Sequence, residues 1–226
     1  MKKPISKIWL VAQFIIAIPV MMLVLFWPAG TLNWVEGWIY LVLQLGYASI
    51  MALYFLKHNP ELIRKRMEMK IPPRLWDKIV MIPFIIGMIA LIIVPGFDVV
   101  RYKWSSIPVY WEVIGFLGFI ITSYLLFLVM KVNSYLLKTV EIQKDHKVVS
   151  TGPYAYVRHP MYSVAIIMVF SIALALGSLY ALIPAAASSF ALIIRTQFED
   201  KTLQKELEGY TEYTKKVTYK LIPGIW

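Results

Sequence analysis

Apolar positions in this chain fall in long unbroken blocks, not in the two-residue rhythm of a half-buried strand. Ile8 to Trp27, Val35 to Leu56, Ile79 to Val94 and Ile107 to Met130 predict four membrane-spanning helices, since about twenty apolar residues cross roughly 30 Å of hydrocarbon. Pro19 and Pro83 fall inside two of these blocks and are tolerated there as kinks. Pro28-Ala-Gly30 predicts a short turn, Pro95-Gly96 a stop, and Trp34 and Trp38 interfacial anchors. Two further blocks, Met161 to Ala175 and Leu179 to Ile194, break at Gly177-Ser178 and are short for independent spans. They predict a helical hairpin that crosses obliquely or is partly buried in protein.

The polar intervals complete the outline. Lys57 to Lys78 is a basic loop, Phe97 to Ser106 a short connection, and Lys131 to Pro160 the longest insertion. In the tail, Leu203 and Leu207 stand four apart with Phe198 on a similar face, which predicts an amphipathic helix from Gln197 to Glu208. Gly209 suits its C-terminal stop, Thr211 can cap a short turn through Val217, and Tyr210 and Tyr213 are placed near the interface. The fold expected is all-α: a polytopic membrane helix bundle with four long spans, a C-terminal helical hairpin and a cytoplasmic tail helix. It divides into residues 1–130, the N-terminal transmembrane helices, and 131–226, which carry the chemistry.

Composition sharpens this outline. Hydrophobic residues make up 59% of the 226 and charged residues 16%, with a mean hydropathy of +0.66, which excludes an ordinary water-soluble domain. The net charge of +10 would suit nucleic acid if it were clustered on a polar domain. Its placement argues otherwise. With the N-terminus in the cytoplasm, every Lys and Arg except Arg101 and Lys103 falls on the cytoplasmic side, together with the 131–160 loop and the tail. The charge therefore reads as orientation and contact with anionic lipid headgroups, with no nucleic-acid partner. An integral membrane protein is expected, in the cell (inner) membrane if the chain is prokaryotic.

Several chemistries are excluded. Without cysteine there is no thiolate nucleophile and no thiolate metal site. His58, His146 and His159 are far apart and lack an acidic cluster, so no metal is expected. Neither a Walker loop, a Gly-x-Gly-x-x-Gly fingerprint nor a Gly-x-Ser-x-Gly elbow occurs.

What remains is the stretch from Ser150 to Tyr162, which packs Arg158, His159, Tyr154, Tyr156 and Tyr162 between two apolar regions. Gly152-Pro153 predicts a turn, and Pro160 holds His159 extended while suiting the first turn of the next helix. The free N–H groups at Met161 and Tyr162 then suit an anion beside Arg158 or His159. Interfacial anchoring alone would account for Tyr and Arg here, but it requires neither the Gly-Pro turn nor the His-Pro pair. Arg195 and Glu199 stand four apart across the junction between hairpin and tail helix, on one face, able to reach each other or a common ligand. A snorkelling Arg with a helix-start Glu is the plainer reading of that pair.

Gly152-Pro-Tyr-x-Tyr-x-Arg-His-Pro-x-Tyr162, followed by Arg195-x-x-x-Glu199-Asp-x-x-Leu203 and Gly209-Tyr-x-x-Tyr213, resembles the isoprenylcysteine carboxyl methyltransferase family over about residues 131–226. The close, Val217 to Trp226, is similar to the ending of prokaryotic members. The resemblance implies that 131–226 is a cofactor-binding catalytic region using S-adenosyl-L-methionine. It implies cofactor contacts at Gln143, His146, Lys147, Val148, Val149, Tyr154, His159, Pro160, Met161, Tyr162 and the acid Glu199, with Arg158 beside them. It also implies a substrate-side arginine at Arg195, with Asn133 a further substrate-side position. Arg195 and Glu199 are the implied catalytic pair. The family often shows Glu-Glu where this chain has Glu199-Asp200.

The function expected is thus S-adenosylmethionine-dependent methyl transfer in the membrane, to a carboxyl oxygen of a prenylated or lipidic acceptor. The alternatives are a phospholipid N-methyltransferase, an NADPH-dependent sterol-type reductase and a non-enzymatic lipid-binding membrane protein.

Overall fold

The computed structural model of the protein describes residues 7–67, 71–142 and 146–226. Among them all regular structure is helical, with no strand. Eight α-helices follow in order: α1 Lys7–Ala29, α2 Val35–His58, α3 Pro60–Met67, α4 Leu75–Pro95, α5 Val109–Val132, α6 Pro160–Ala175, α7 Leu182–Glu206 and α8 Tyr210–Lys216. Among the described residues three helical stretches are long and apolar enough to cross a membrane: Val35–His58, Leu75–Arg101 and Val109–Val132. The described apolar part of α1, Ile15–Ala29, and α6 are shorter. An integral membrane protein is consistent with these three helices; a fourth long span is not established.

Several boundaries differ from the sequence expectation, each for a physical reason. Pro95-Gly96 does not stop α4. Gly96 stays right-handed helical, and residues Gly96–Arg101 continue as a π-helical turn closed by Tyr102 N–H to Phe97 O at 2.9 Å. Pro95 has no N–H to give the regular ladder, so a local widening is the natural response. Pro28 and Ala29 belong to α1, and the chain turns only at Gly30, at φ +72°. The 57–78 loop contains α3, with Pro60 in its first turn and Asn59 Oδ1 accepting from Leu62 N–H at 3.1 Å. Trp34 is buried against Phe26 and does not anchor an interface.

The hairpin is formed by α6 and α7, joined by a turn with Gly177 at φ +72°. Ser178 Oγ donates to Asp98 Oδ2 at 2.5 Å, and Leu179 N–H to Ser105 Oγ at 3.3 Å. The turn therefore reaches the far end of α4 and the start of α5, so the hairpin runs to the same depth as its neighbours. Length agrees, since the 16 residues of α6 rise about 24 Å. Every residue of the helix is buried or half-buried except the exposed Ile167, and α5 approaches it where side chains are smallest: a Cβ on Gly115 would lie 2.2 Å from Ala175 N. The expected helix from Gln197 to Glu208 is not a separate element. α7 runs unbroken from Leu182 to Glu206, carrying Arg195 and Glu199 on one straight element. Phe198 faces away from Leu207: it is exposed and stacks on Trp76 at 5.3 Å between ring centroids, whereas Leu207 is buried.

Candidate functional site

At the end of the bundle opposite the Ser178 turn, residues 133–141 and 146–149, the Ser150–Tyr162 loop, α7 and α8 enclose a cleft with roughly 750 Å³ of empty space, part of it open to solvent. Asn133, His146, Lys147, Val148, Val149, Tyr154, Arg158, His159, Met161, Tyr162, Arg195 and Glu199 all line it. Pro160 does not line it but begins α6 behind it, and Gln143 lies outside the described residues.

The Arg-His-Pro loop is held by the chain's own tail. Arg158 N–H and His159 N–H donate to Tyr219 O and Lys220 O at 3.0 and 2.9 Å, and Ser163 Oγ donates to Leu221 O at 2.7 Å. Arg158 is spent on the same job. Its Nε donates to Asp200 Oδ1 at 2.8 Å, and its Nη1 to the carbonyls of Val217 and Thr218, each at 2.8 Å. Burial alone would raise the Asp200 carboxyl, but hydrogen bonds from His159 and Arg158 and their positive charge outweigh it and hold the group well below the usual carboxylate range. Tyr210 Oη adds a hydrogen bond to Asp200 Oδ1 at 3.1 Å. Asp200 is therefore a structural keystone, the acid next to the site's acid.

Glu199 has a different fate. Tyr162 Oη donates to its Oε2 at 2.5 Å, and His159 Nδ1 stands 4.0 Å from Oε1, its nearest possible cation among the described residues. Among the described residues no lysine or arginine comes within ion-pair distance of it, and it faces the cleft. Arg195, one turn earlier, does not pair with it. Its Nη2 donates to Lys138 O at 2.7 Å and reaches Asp77 Oδ2 at 3.4 Å, while its Nε lies 3.0 Å from Asp77 Oδ1 without the alignment of a hydrogen bond. Both residues meet instead on Tyr162, whose ring lies under the Arg195 guanidinium at 5.7 Å. Among the described residues Arg195 Nη1 makes no hydrogen bond.

The tyrosines divide. Tyr154 is buried, with Asn133 Nδ2 donating to its Oη at 2.8 Å and Tyr213 Oη donating to its carbonyl at 2.6 Å. Burial, above all, pushes its phenol pKa up, so it stays neutral. Tyr156 is 72% exposed, outside the cleft. Tyr210 and Tyr213, placed at an interface by the sequence, are buried cleft walls. Tyr162 N–H already closes a turn on His159 O at 3.0 Å, so it is not the free amide the helix start suggested. Thr211 Oγ1 donates to Gln204 O at 3.3 Å, and Gly209 at φ +78° precedes α8 in its place.

Asp77 is the residue that sequence reasoning missed. It is fully buried, accepts from Val140 N–H at 3.1 Å through Oδ2, and holds Arg195. Its signal was available: an acid at the start of an apolar block within a strongly basic loop.

His146 Nδ1 is a buried nitrogen with no hydrogen-bond partner among the described residues, in a ring stacked on Tyr135 at 4.3 Å. Burial is the main cause that lowers its pKa, with Glu199 pulling the other way. An unmet neutral imidazole nitrogen, a carboxylate with no lysine or arginine at ion-pair distance among the described residues and several phenol faces suit a ligand with amine, sulfonium and adenine-like groups, so the residues fit S-adenosylmethionine. Among the described residues no three His, Asp or Glu side chains gather as a metal would require.

Residues 110–208 match the family model of phospholipid methyltransferases, in the same superfamily as the isoprenylcysteine carboxyl methyltransferases. No curated protein matches the chain. The match and the apolar helices together point to a membrane methyltransferase.

Proposed function

We propose that the protein transfers a methyl group from S-adenosylmethionine to the polar end of a lipidic or prenylated acceptor, with a carboxyl oxygen as the methyl-accepting atom. The observation that carries the reading is the pair on α7: among the described residues Glu199 is paired with no arginine or lysine, and Arg195 Nη1 makes no hydrogen bond. When bound, S-adenosylmethionine supplies a methyl group on a sulfonium, transferred by in-line displacement. Glu199 then provides the counter-charge for a cationic cofactor. Tyr154 and Tyr210, which line the cleft, could offer ring faces worth roughly 0.5–2 kcal/mol each toward a cation, and His146 Nδ1 accepts or donates one hydrogen bond. Arg195 orients the acceptor: a carboxylate is already ionised near pH 7 and needs no general base, only a fork to aim it. Catalysis on this reading is positioning and exclusion of water. The cleft, the amino terminus and the tail are assigned to the cytoplasmic side, following the basic residues.

The matched family is named for phospholipids, which favours a second reading, N-methylation of a phospholipid amine. Calorimetric titration with S-adenosylhomocysteine tests the cofactor, with NADPH as the parallel ligand. Micromolar binding of S-adenosylhomocysteine alone supports the proposal, and binding of NADPH alone sinks it. Methyl incorporation into N-acetyl-S-farnesylcysteine against phosphatidylethanolamine then decides between oxygen and nitrogen.

A further inference from the structure

Outside the motif residues, one partly buried guanidinium near the cleft has no charge partner among the described residues. Arg66, in the last turn of α3, is half-buried, and its single hydrogen bond runs from Nη1 to Leu136 O at 3.2 Å. Among the described residues no carboxylate pairs with it, although neighbours on the same short helix are paired, Arg64 with Glu61. The Arg66 side chain lies in the neighbourhood of Tyr47 of α2, Tyr154 and Tyr162 of the site, and Arg195, whose like charge opposes its own. Two guanidinium groups thus converge on one segment: Arg66 holds the carbonyl of residue 136 and Arg195 that of residue 138, two residues on. Burial lowers the Arg66 pKa, yet a guanidinium stays charged at any physiological pH.

A desolvated cation without an anion is costly, and proteins that retain one supply the anion from a ligand. Asp77 neutralises Arg195, so it cannot also serve Arg66 without leaving Arg195 short. Glu199 is held by Tyr162 Oη and makes no ion pair with Arg66. On the reading of the site as a methyltransferase, the cationic cofactor belongs with Glu199, and the positive side of the cleft is left for the acceptor.

The geometry points to Arg66 as an acceptor-anchoring residue: with Arg195 Nη1 it forms a two-guanidinium seat for an anionic group at the head of the lipidic acceptor. That anion is a carboxylate or a phosphodiester. In the first case the seat holds the methylated group itself; in the second it holds the phosphate and leaves the neighbouring amine to react.

The test uses the full-length protein in nanodiscs. Affinities of wild type, Arg66→Gln and Arg66→Lys are measured for three probes: N-acetyl-S-farnesylcysteine, its primary amide, and phosphatidylethanolamine. S-Adenosylhomocysteine is titrated in parallel. Loss of about 10- to 100-fold in affinity for an anionic probe in Arg66→Gln, with the amide and S-adenosylhomocysteine affinities unmoved and partial recovery in Arg66→Lys, supports the seat. Which anionic probe responds tells carboxylate from phosphodiester. Equal loss for the amide, or no loss for either anion, overturns it. If Arg66→Gln fails to fold, wild type carries the test: equal affinity for the carboxylate and its amide, with no affinity for phosphatidylethanolamine, overturns the seat, and preference for an anionic probe supports it. Wild type that binds no S-adenosylhomocysteine removes the methyltransferase reading, and this inference with it.

Discussion

The Asp77–Arg195 pair offers the sharpest test of how the site is held. It joins α4 to α7 with both side chains buried, and Asp77 also anchors Val140 while Arg195 anchors Lys138. At 3.0 Å and an effective dielectric near 20 the gross attraction is about 5 kcal/mol, offset by the desolvation of two ions. Removing one partner leaves the other buried and unmet, which costs about 3–5 kcal/mol. Removing both leaves no orphaned charge. Asp77→Ala and Arg195→Ala should therefore each lower unfolding free energy by about 3–5 kcal/mol, and the double variant by no more than the worse single one. Unfolding in mixed micelles, followed by fluorescence of the eight tryptophans, reads all three. A double variant whose loss equals the sum of the singles would refute the coupling. So would single losses under about 1 kcal/mol, which would place the pair in water despite its burial. Asp77→Asn, which keeps the acceptor for Val140 and the shape, should lower turnover more than cofactor affinity.

Three further outcomes are expected. Glu199→Gln should weaken S-adenosylhomocysteine binding by about 10- to 100-fold through loss of a charge-assisted contact; calorimetry showing unchanged affinity would take Glu199 out of the site. Because Asp200 is held below its usual range, its contribution to stability is present above about pH 4 and is lost as pH falls further; a denaturation midpoint that falls as steeply in Asp200→Asn between pH 5 and 3 would contradict this. Gly115→Ala should force α5 off α6, since the new Cβ meets the backbone of Ala175, and should lower thermal stability in detergent where Gly46→Ala, with open space around it, does not.

How much of this was legible follows from the range of each interaction. Apolar blocks and the Gly-Pro and His-Pro turns are local signals, and they located the helices and the loop that lines the cleft. The motif positions around Tyr154, His159 and Glu199 were likewise legible, through spacing and resemblance. What escaped is non-local. Asp77 meets Arg195 across 118 positions and Arg66 meets Leu136 across 70, and no periodicity carries such pairings. The continuity of α7 escaped because the change from apolar to charged at Arg195 reads as a boundary, whereas the backbone ladder is indifferent to it. A different rule recovers part of the loss. Ionic groups in a mostly apolar bundle must be matched, and matching them is an accounting that the fold completes. Asp77 answers Arg195, and Asp200 answers Arg158. Among the described residues two partly buried groups of opposite sign near the cleft have no full-strength ionic partner, Glu199 on α7 and Arg66 on α3. They do not pair with each other: Glu199 accepts from Tyr162 Oη, and Arg66 donates to the carbonyl of Leu136. A cleft that keeps one unmet acid and one unmet base apart is suited to two ligands at once, a cation against Glu199 and an anion against Arg66, and methyl transfer from a sulfonium to an anionic lipid headgroup is a reaction that brings such a pair together.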